Sequence, residues 1–345
     1  PLEVTVDNIR EGFEDRPYMP FRYPNNQTMS LVKLDVNFWS IVDRHYFDFM
    51  SQKKRIFNHY DPEKLKEHPF YKTLDTAEAT AALVELRDFV VDHLTHRFPK
   101  LFTRRGNLVC NHLLDETYDL DVVAPLVVVT RMSMEDYYVT VLDPHTQERT
   151  CVGVSVAFGG GGFPIAPIVG QGMDAIHGPV PYYESKLKKS MNKWFERFTD
   201  PVERASIHIV WDNDLSCSEL YSKQRELGHA AYAEYIQAVP FEAFSVRVER
   251  QTLIKLPKSN AIIFANHPIY LNIAHALADE PGVPAIVHKM MYDSPEGIIK
   301  YKHYELIRDH ISPGLLAMVD AQVQRGLVAK DDPVRTIPGF PFASW

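Results

Sequence analysis

The stretch Phe244 to Ile273 limits what this chain can become more than any other. From Val246 to Leu253, the residues Arg247, Glu249 and Gln251 alternate with Val246, Val248, Arg250 and Thr252. Successive side chains of a strand point to opposite faces, so a strand here has one face that is polar throughout. Leu256-Pro257-Lys258-Ser259-Asn260 supplies turn-forming residues, and an almost uncharged strand, Ala261 to Phe264, comes next. The expected element is a hairpin whose polar row either lines a cavity or forms a solvated sheet face.

The elements leading up to this hairpin follow from periodicity. A chain of 345 residues can bury a large core, in one domain or two. An aromatic arm with Tyr18, Phe21 and Tyr23 precedes Leu34, Phe38, Ile41, Val42, His45 and Phe49, whose spacing predicts a helix from about Asp35. A second helix is expected from Asp75, with Glu78 completing a capping pair. Leu83, Leu86, Val90, Leu94 and Phe98 form its apolar face, and Pro99 ends it. His93 and His96 lie one turn apart on it; a metal would need a further ligand, and the alternative is an ordinary surface pair.

From about Val122 the reading changes to strands. Val122 to Val129 is apolar, and Tyr137 to Leu142 and Cys151 to Phe158 flank the turn Asp143-Pro144-His145-Thr146. Gly170-Gln171-Gly172 imitates a dinucleotide-binding turn, but prolines at 164, 167, 179 and 181 deny it the required strand and long helix. Leu187, Met191, Trp194, Phe195 and Phe198 then mark an amphipathic helix, with Lys186, Lys188, Lys189 and Lys193 on its other faces. These lysines form a solvated face or meet an acidic partner. A strand at Arg204 to Trp211, a helix at Ser218 to Val239, the hairpin and a helical remainder complete the chain.

Two hairpin strands, an irregular connection, one strong helix and three more strands is the order of a PAS-type α+β domain. The expectation is a five-stranded antiparallel sheet with helices on one face. Residues 120–280 would form this core, 1–119 an N-terminal arm and helical extension, and 281–345 a C-terminal helical extension.

Composition removes several classes of function. A net charge of −8 without a basic tail argues against nucleic-acid binding. Cys110, Cys151 and Cys217 fit neither a disulfide framework nor a zinc or iron–sulfur spacing, which points to a reducing, cytoplasmic setting. The run near Val122 is too short to span a membrane, and the acidic start PLEVTVDNIREGFEDR lacks an apolar signal core. Asn26-Gln27-Thr28 is a sequon without meaning in a chain that is not exported.

Four residues stand out as candidate chemistry. His177 lies in Ile176-His177-Gly178-Pro179-Val180-Pro181, where two prolines stiffen the backbone and Gly178 lets a planar group approach. Glu249, between Arg247 and Arg250, could bind an ammonium ion or accept a proton, or belong to a structural Arg247–Glu249–Arg250 network. His208 and Tyr270 also face the expected cavity, or are simply packed.

Together these segments resemble the haem-dependent oxidative N-demethylase alpha subunit family. The resemblance covers residues 29–280: Leu34-Asp35, Trp39, Asp43 and Tyr46, then Ile176 to Pro181, then Arg247 to Leu253 with Leu256-Pro257. Two places depart from the family pattern. Ser206-Ile207 stands for an Asn-Trp pair, and Asn266-His267-Pro268-Ile269-Tyr270 for a shorter Ile-Arg-Thr-Tyr segment. The resemblance implies a PAS-like fold holding haem b and oxidation of dimethylamine to methylamine and formaldehyde with O2. Electrons would come from NADPH through a partner subunit with FMN and a 2Fe–2S centre, since the chain has no flavin or iron–sulfur signature. By the same resemblance His177 is the axial iron ligand. Glu249, with Tyr270 and His208, would serve the amine and oxygen chemistry, and Arg247, Arg250 and Gln251 the cofactor. The rival reading is a haem-based gas sensor or binding module without turnover. A sensor should carry an output domain or coiled-coil linker, and no sustained heptads occur.

Overall fold

A computed structural model describes residues 1–25, 29–143, 146–158 and 164–342. The sequon, the Pro144-His145 tip, residues 159–163 and residues 343–345 lie outside that description. Ten strands are present among the described residues: β1 (Val32–Lys33), β2 (Tyr71–Thr73), β3 (Phe102–Arg105), β4 (Leu108–Asn111), β5 (Glu116–Asp119), β6 (Asp136–Leu142), β7 (Arg149–Ser155), β8 (Val202–Val210), β9 (Ser245–Lys255) and β10 (Ile262–Asn272). Seven pair antiparallel in the order β1-β8-β9-β10-β6-β7-β2, and β3, β4 and β5 form a separate meander.

The α+β class is as expected, but the sheet has seven strands rather than five. The two additions are short edge strands that satisfy backbone groups otherwise left open beside β8 and β7. Helices also pack on both faces, not one. Val139, Ile254, Ile263 and Ala265 bury against the helices Tyr46–Ile56, Ala77–Arg97 and Pro125–Met132. Farther along the same face, Val246, Val248 and Ile209 meet the helices Val283–Asp293 and Tyr304–Gln324. Each such aliphatic side chain contributes about 1.5–3 kcal/mol on burial, which makes this the stabilising face.

The opposite face is covered in patches. Tyr138 and Val154 pack under Ile165, Ile168 and Ile176. Leu253, Ile262 and Phe264 pack under Trp194, Phe195 and Phe198. Between these patches the sheet carries polar side chains.

Local details correct several boundaries. The helix expected from about Asp35 begins only at Tyr46, after a 3-10 turn at Val36–Phe38, and the N-terminal arm carries a short helix of its own, Val6–Arg10. Thr76, not Asp75, caps the long helix, accepting from the Ala79 N–H at 3.2 Å. Val122 to Val129 is not a strand; Pro125 opens a helix to Met132, and a short run buried on every side has no period to separate the two. The β9–β10 turn is as expected, with Asn260 left-handed at φ 54°. Glu85 accepts the Lys258 and Ser259 N–H groups there, each at 2.7 Å. Among the described residues no helix is long and apolar enough to cross a membrane.

Candidate functional site

β8, β9 and β10 pair in register, so side chains on the patchy face form three rows. His208, Arg247 and Tyr270 make the first, Ser206, Glu249 and Pro268 the second, and Arg204, Gln251 and Asn266 the third. Arg247 anchors the first row. Its buried guanidinium lies 4.2 Å over the Phe158 ring and donates to Tyr221 Oη at 3.0 Å and to the Phe158 carbonyl at 3.1 Å. It also donates to Glu249 Oε1 at 3.0 Å, while Gln251 Nε2 donates to Glu249 Oε2 at 3.0 Å. Glu249 is thus gripped at both oxygens, and a carboxylate so held keeps acceptor sites for another donor.

A second line of groups runs across the rows. Lys302, between two C-terminal helices, donates from Nζ to Ser206 Oγ at 3.2 Å and to the Ile207 carbonyl. Ser206 Oγ is 3.4 Å from His208 Nε2, which is 4.0 Å from Glu249 Oε1. The His208 side chain keeps 25% of its surface and Glu249 15%, although both lie mid-sheet, which marks a hollow rather than a packed core. Burial, then the charges of Lys302 and Arg247, hold His208 well below its ordinary pKa. Burial also brings Lys302 down to about 8, helped by Arg204 and Arg247 and opposed by Glu249. Asp136, paired with Asn266 on this face, accepts the Ala157 and Phe158 N–H groups at 2.9 and 2.6 Å. Burial lifts its carboxyl to about 6, against Lys53 and those two donors.

His177 ends the short helix Met173–His177, close enough to Arg204 to feel its charge. Its Nδ1 is 2.9 Å from the Met173 carbonyl and its ring stacks on Tyr183 at 5.4 Å. A ring nitrogen facing a carbonyl must carry the hydrogen, which leaves the lone pair on Nε2. No described residue bonds to Nε2. Burial lowers the His177 pKa against the Met173 bond, with the nearby Arg204 charge adding to the effect, so the ring is neutral near pH 7.

The structure therefore gathers Arg247, Glu249, Gln251, His208 and Tyr270 on one surface. Tyr270 stands at its edge, donating to the Asp214 carbonyl at 3.0 Å with Cys217 Sγ 3.6 Å away. Arg250 is not part of the group. It points through the other face to Glu203 Oε2 at 2.7 Å, so the expected three-residue ion network reduces to the Arg247–Glu249 pair. Parity along β9 requires this, since Arg250 follows Glu249 directly. His93 and His96 each bond to a backbone carbonyl, of Ser40 and Asp92.

Sequence reasoning missed Arg204, Asp136 and Lys302. Arg204 shares the parity of Ser206 and His208, a signal that was present. Lys302 carries none, because it arrives from nearly a hundred residues along the chain.

The family model for haem-dependent oxidative N-demethylase, alpha subunit-like, matches residues 30–312. The chain belongs to this family. The comparison with curated proteins returned no match. The matched range continues past residue 280, where the resemblance in sequence stopped, and takes in Lys302.

An alpha subunit-like chain of this family should have a place for haem, and the hollow meets three requirements. The first is a neutral histidine with an open Nε2, which His177 supplies. The second is a cation for a propionate. Arg204 has no carboxylate within ion-pair distance among the described residues, and its Nε is buried without a hydrogen bond. The third is apolar surface for a flat ring. The helix Lys188–Arg197 has no fully buried residue, so Trp194 and Phe195 remain half-covered beside Leu253 and Phe264.

Proposed function

We propose that this chain is the haem-binding catalytic subunit of an oxidative N-demethylase for a small secondary amine, dimethylamine being the simplest. Products would be methylamine and formaldehyde, with O2 as oxidant and electrons from NADPH through a cytoplasmic partner carrying FMN and a 2Fe–2S centre. The five long strands run in the spatial order β8-β9-β10-β6-β7, which supports a PAS-like core with a haem b site between that sheet and the layer holding His177. In this reading residues 120–280 are the haem-binding core, and the 281–345 extension closes one side through Lys302.

The reading is carried by a neutral histidine, His177, with an open Nε2 near Arg204, a residue that shares its sheet face with the Glu249 grid. His177 would hold the haem iron through Nε2, its Met173 bond fixing the tautomer that leaves this nitrogen free. Haem, when bound, supplies the oxygen chemistry. The residues do the rest. Glu249, gripped by Arg247 and Gln251, accepts the N–H of the ammonium and orients the amine. His208, held neutral, takes a proton at Nε2 and passes it towards Ser206 Oγ. Tyr270 and Phe158 close the hollow against water beside Arg247. Arg204, rather than Arg250, would pair with a haem carboxylate.

The purified protein should show a haem Soret band that moves on adding dimethylamine. His177→Ala should lose the haem or change the spectrum. Glu249→Gln should abolish the amine-induced shift while the haem is retained. Amine-dependent formaldehyde release in the presence of reductant separates the enzyme from a gas sensor. A protein that binds haem yet releases no formaldehyde from any secondary amine would refute the enzymatic reading.

A further inference from the structure

Lys302 is a basic side chain of the candidate site that neither the amine contact nor the propionate contact employs. It is half-buried, and its Nζ stands over β8 with no ion pair among the described residues. The charged and titratable groups around it are Arg204 and His208 on β8, Arg247 and Glu249 on β9, and Tyr301 and His303 on its own segment. Cations outnumber carboxylates there, and with burial they favour the neutral amine, bringing Lys302 to about 8. A neutral, half-buried primary amine is a nucleophile for carbonyl compounds. The neighbouring Ser206 hydroxyl and neutral His208 can carry the protons that such an addition moves.

We infer that Lys302 is an aldehyde-condensing residue that captures the one-carbon product as an imine. This rests on the demethylation reading, which places formaldehyde in the same hollow. The Nζ lone pair adds to the carbonyl carbon, the oxygen takes the proton leaving nitrogen, and a carbinolamine forms. Loss of one water, its second proton also drawn from nitrogen, gives Lys–N=CH2. Nothing is oxidised or reduced, and hydrolysis returns formaldehyde.

The test is reductive trapping on the haem-loaded protein. Dilute formaldehyde and cyanoborohydride are added at about pH 7.5, and N-methyl-lysine is mapped by peptide mass spectrometry. At that pH an amine with a pKa of about 8 is neutral roughly 200 times more often than an ordinary lysine. Allowing for the weaker nucleophilicity of a less basic amine, Lys302 should label at least about tenfold faster than exposed Lys189. Glu249→Gln, which removes the charge retaining the Lys302 proton, should speed Lys302 further and leave Lys189 unchanged. Equal labelling of Lys302 and Lys189 in the native protein would overturn the inference. A second arm replaces added formaldehyde with dimethylamine, reductant and O2. Formaldehyde release without a Lys302 adduct also overturns it. No formaldehyde release, with Lys302 still labelled selectively by added formaldehyde, refutes the demethylase reading instead and leaves an aldehyde-reactive lysine.

Discussion

Arg204 and Arg250 occupy opposite faces of one sheet, and the same substitution should affect them in opposite ways. Arg250→Met removes the only cation bonded to Glu203 among the described residues, a side chain that is 2% exposed. An unpaired buried carboxylate costs about 3–5 kcal/mol, which is a large part of the stability of a single protein. The double variant Glu203→Leu with Arg250→Met should recover most of that loss, because two apolar side chains replace the pair. Arg204→Met takes away a guanidinium with no partner among the described residues and keeps its apolar bulk, so stability should change by less than about 1 kcal/mol. Its effect belongs to the cofactor. A charge-assisted contact to a propionate contributes about 1.5–3 kcal/mol, so haem affinity should fall roughly ten- to hundredfold. Urea unfolding reads the first quantity, and titration of haem into apo-protein at the Soret maximum reads the second. If Arg250→Met weakens haem binding and leaves unfolding unchanged, or Arg204→Met does the reverse of its forecast, the assignment of faces is wrong.

Asp136 gives a pH test. Its folded-state pKa is about 6, above the ordinary carboxyl value, so the charged form costs stability. That cost is complete above pH 6 and disappears as pH falls through 6 towards 4. Relative to Asp136→Asn, the native protein should therefore gain up to about 3 kcal/mol on acidification across that window. Parallel pH profiles for the two proteins would exclude burial as the cause. Gly297→Ala places a Cβ 2.9 Å from Tyr182 Oη, the group that accepts the Gly297 N–H at 3.1 Å. Breaking that contact should cost about 1 kcal/mol in urea unfolding and speed loss of haem to an apo-globin acceptor. An unchanged release rate would mean that this C-terminal segment does not help close the hollow.

Much of the polar surface was legible because β-structure alternates. The row of Arg247, Glu249 and Gln251 could be read directly, but the partner strand was expected only over Ala261 to Phe264, whereas β10 runs on to Asn272 and so brings Tyr270 beside Arg247. The same alternation excluded Arg250, a consequence that proximity in sequence obscured. His177 was visible through its prolines, which fix the backbone locally. The meander β3–β4–β5 was not recognised, although Gly106-Asn107 between Phe102–Arg105 and Leu108–Asn111 is a turn signal. Its strands are too short and polar to show a period. Lys302 and Asp136 were illegible for another reason. What distinguishes them is burial beside charges brought from distant segments, and no local pattern encodes that.

The helix Lys188–Arg197 rests on the sheet through a few aromatic side chains and buries none of its residues completely. A layer so lightly attached has little stability of its own, since most helical stability comes from packing an apolar face. A flat apolar group filling the hollow would supply the missing half of that packing. Cofactor loading would then be the last step of folding rather than an event after it. Amide exchange along this helix would slow when haem enters, while the helices behind the other face exchange at the same rate throughout.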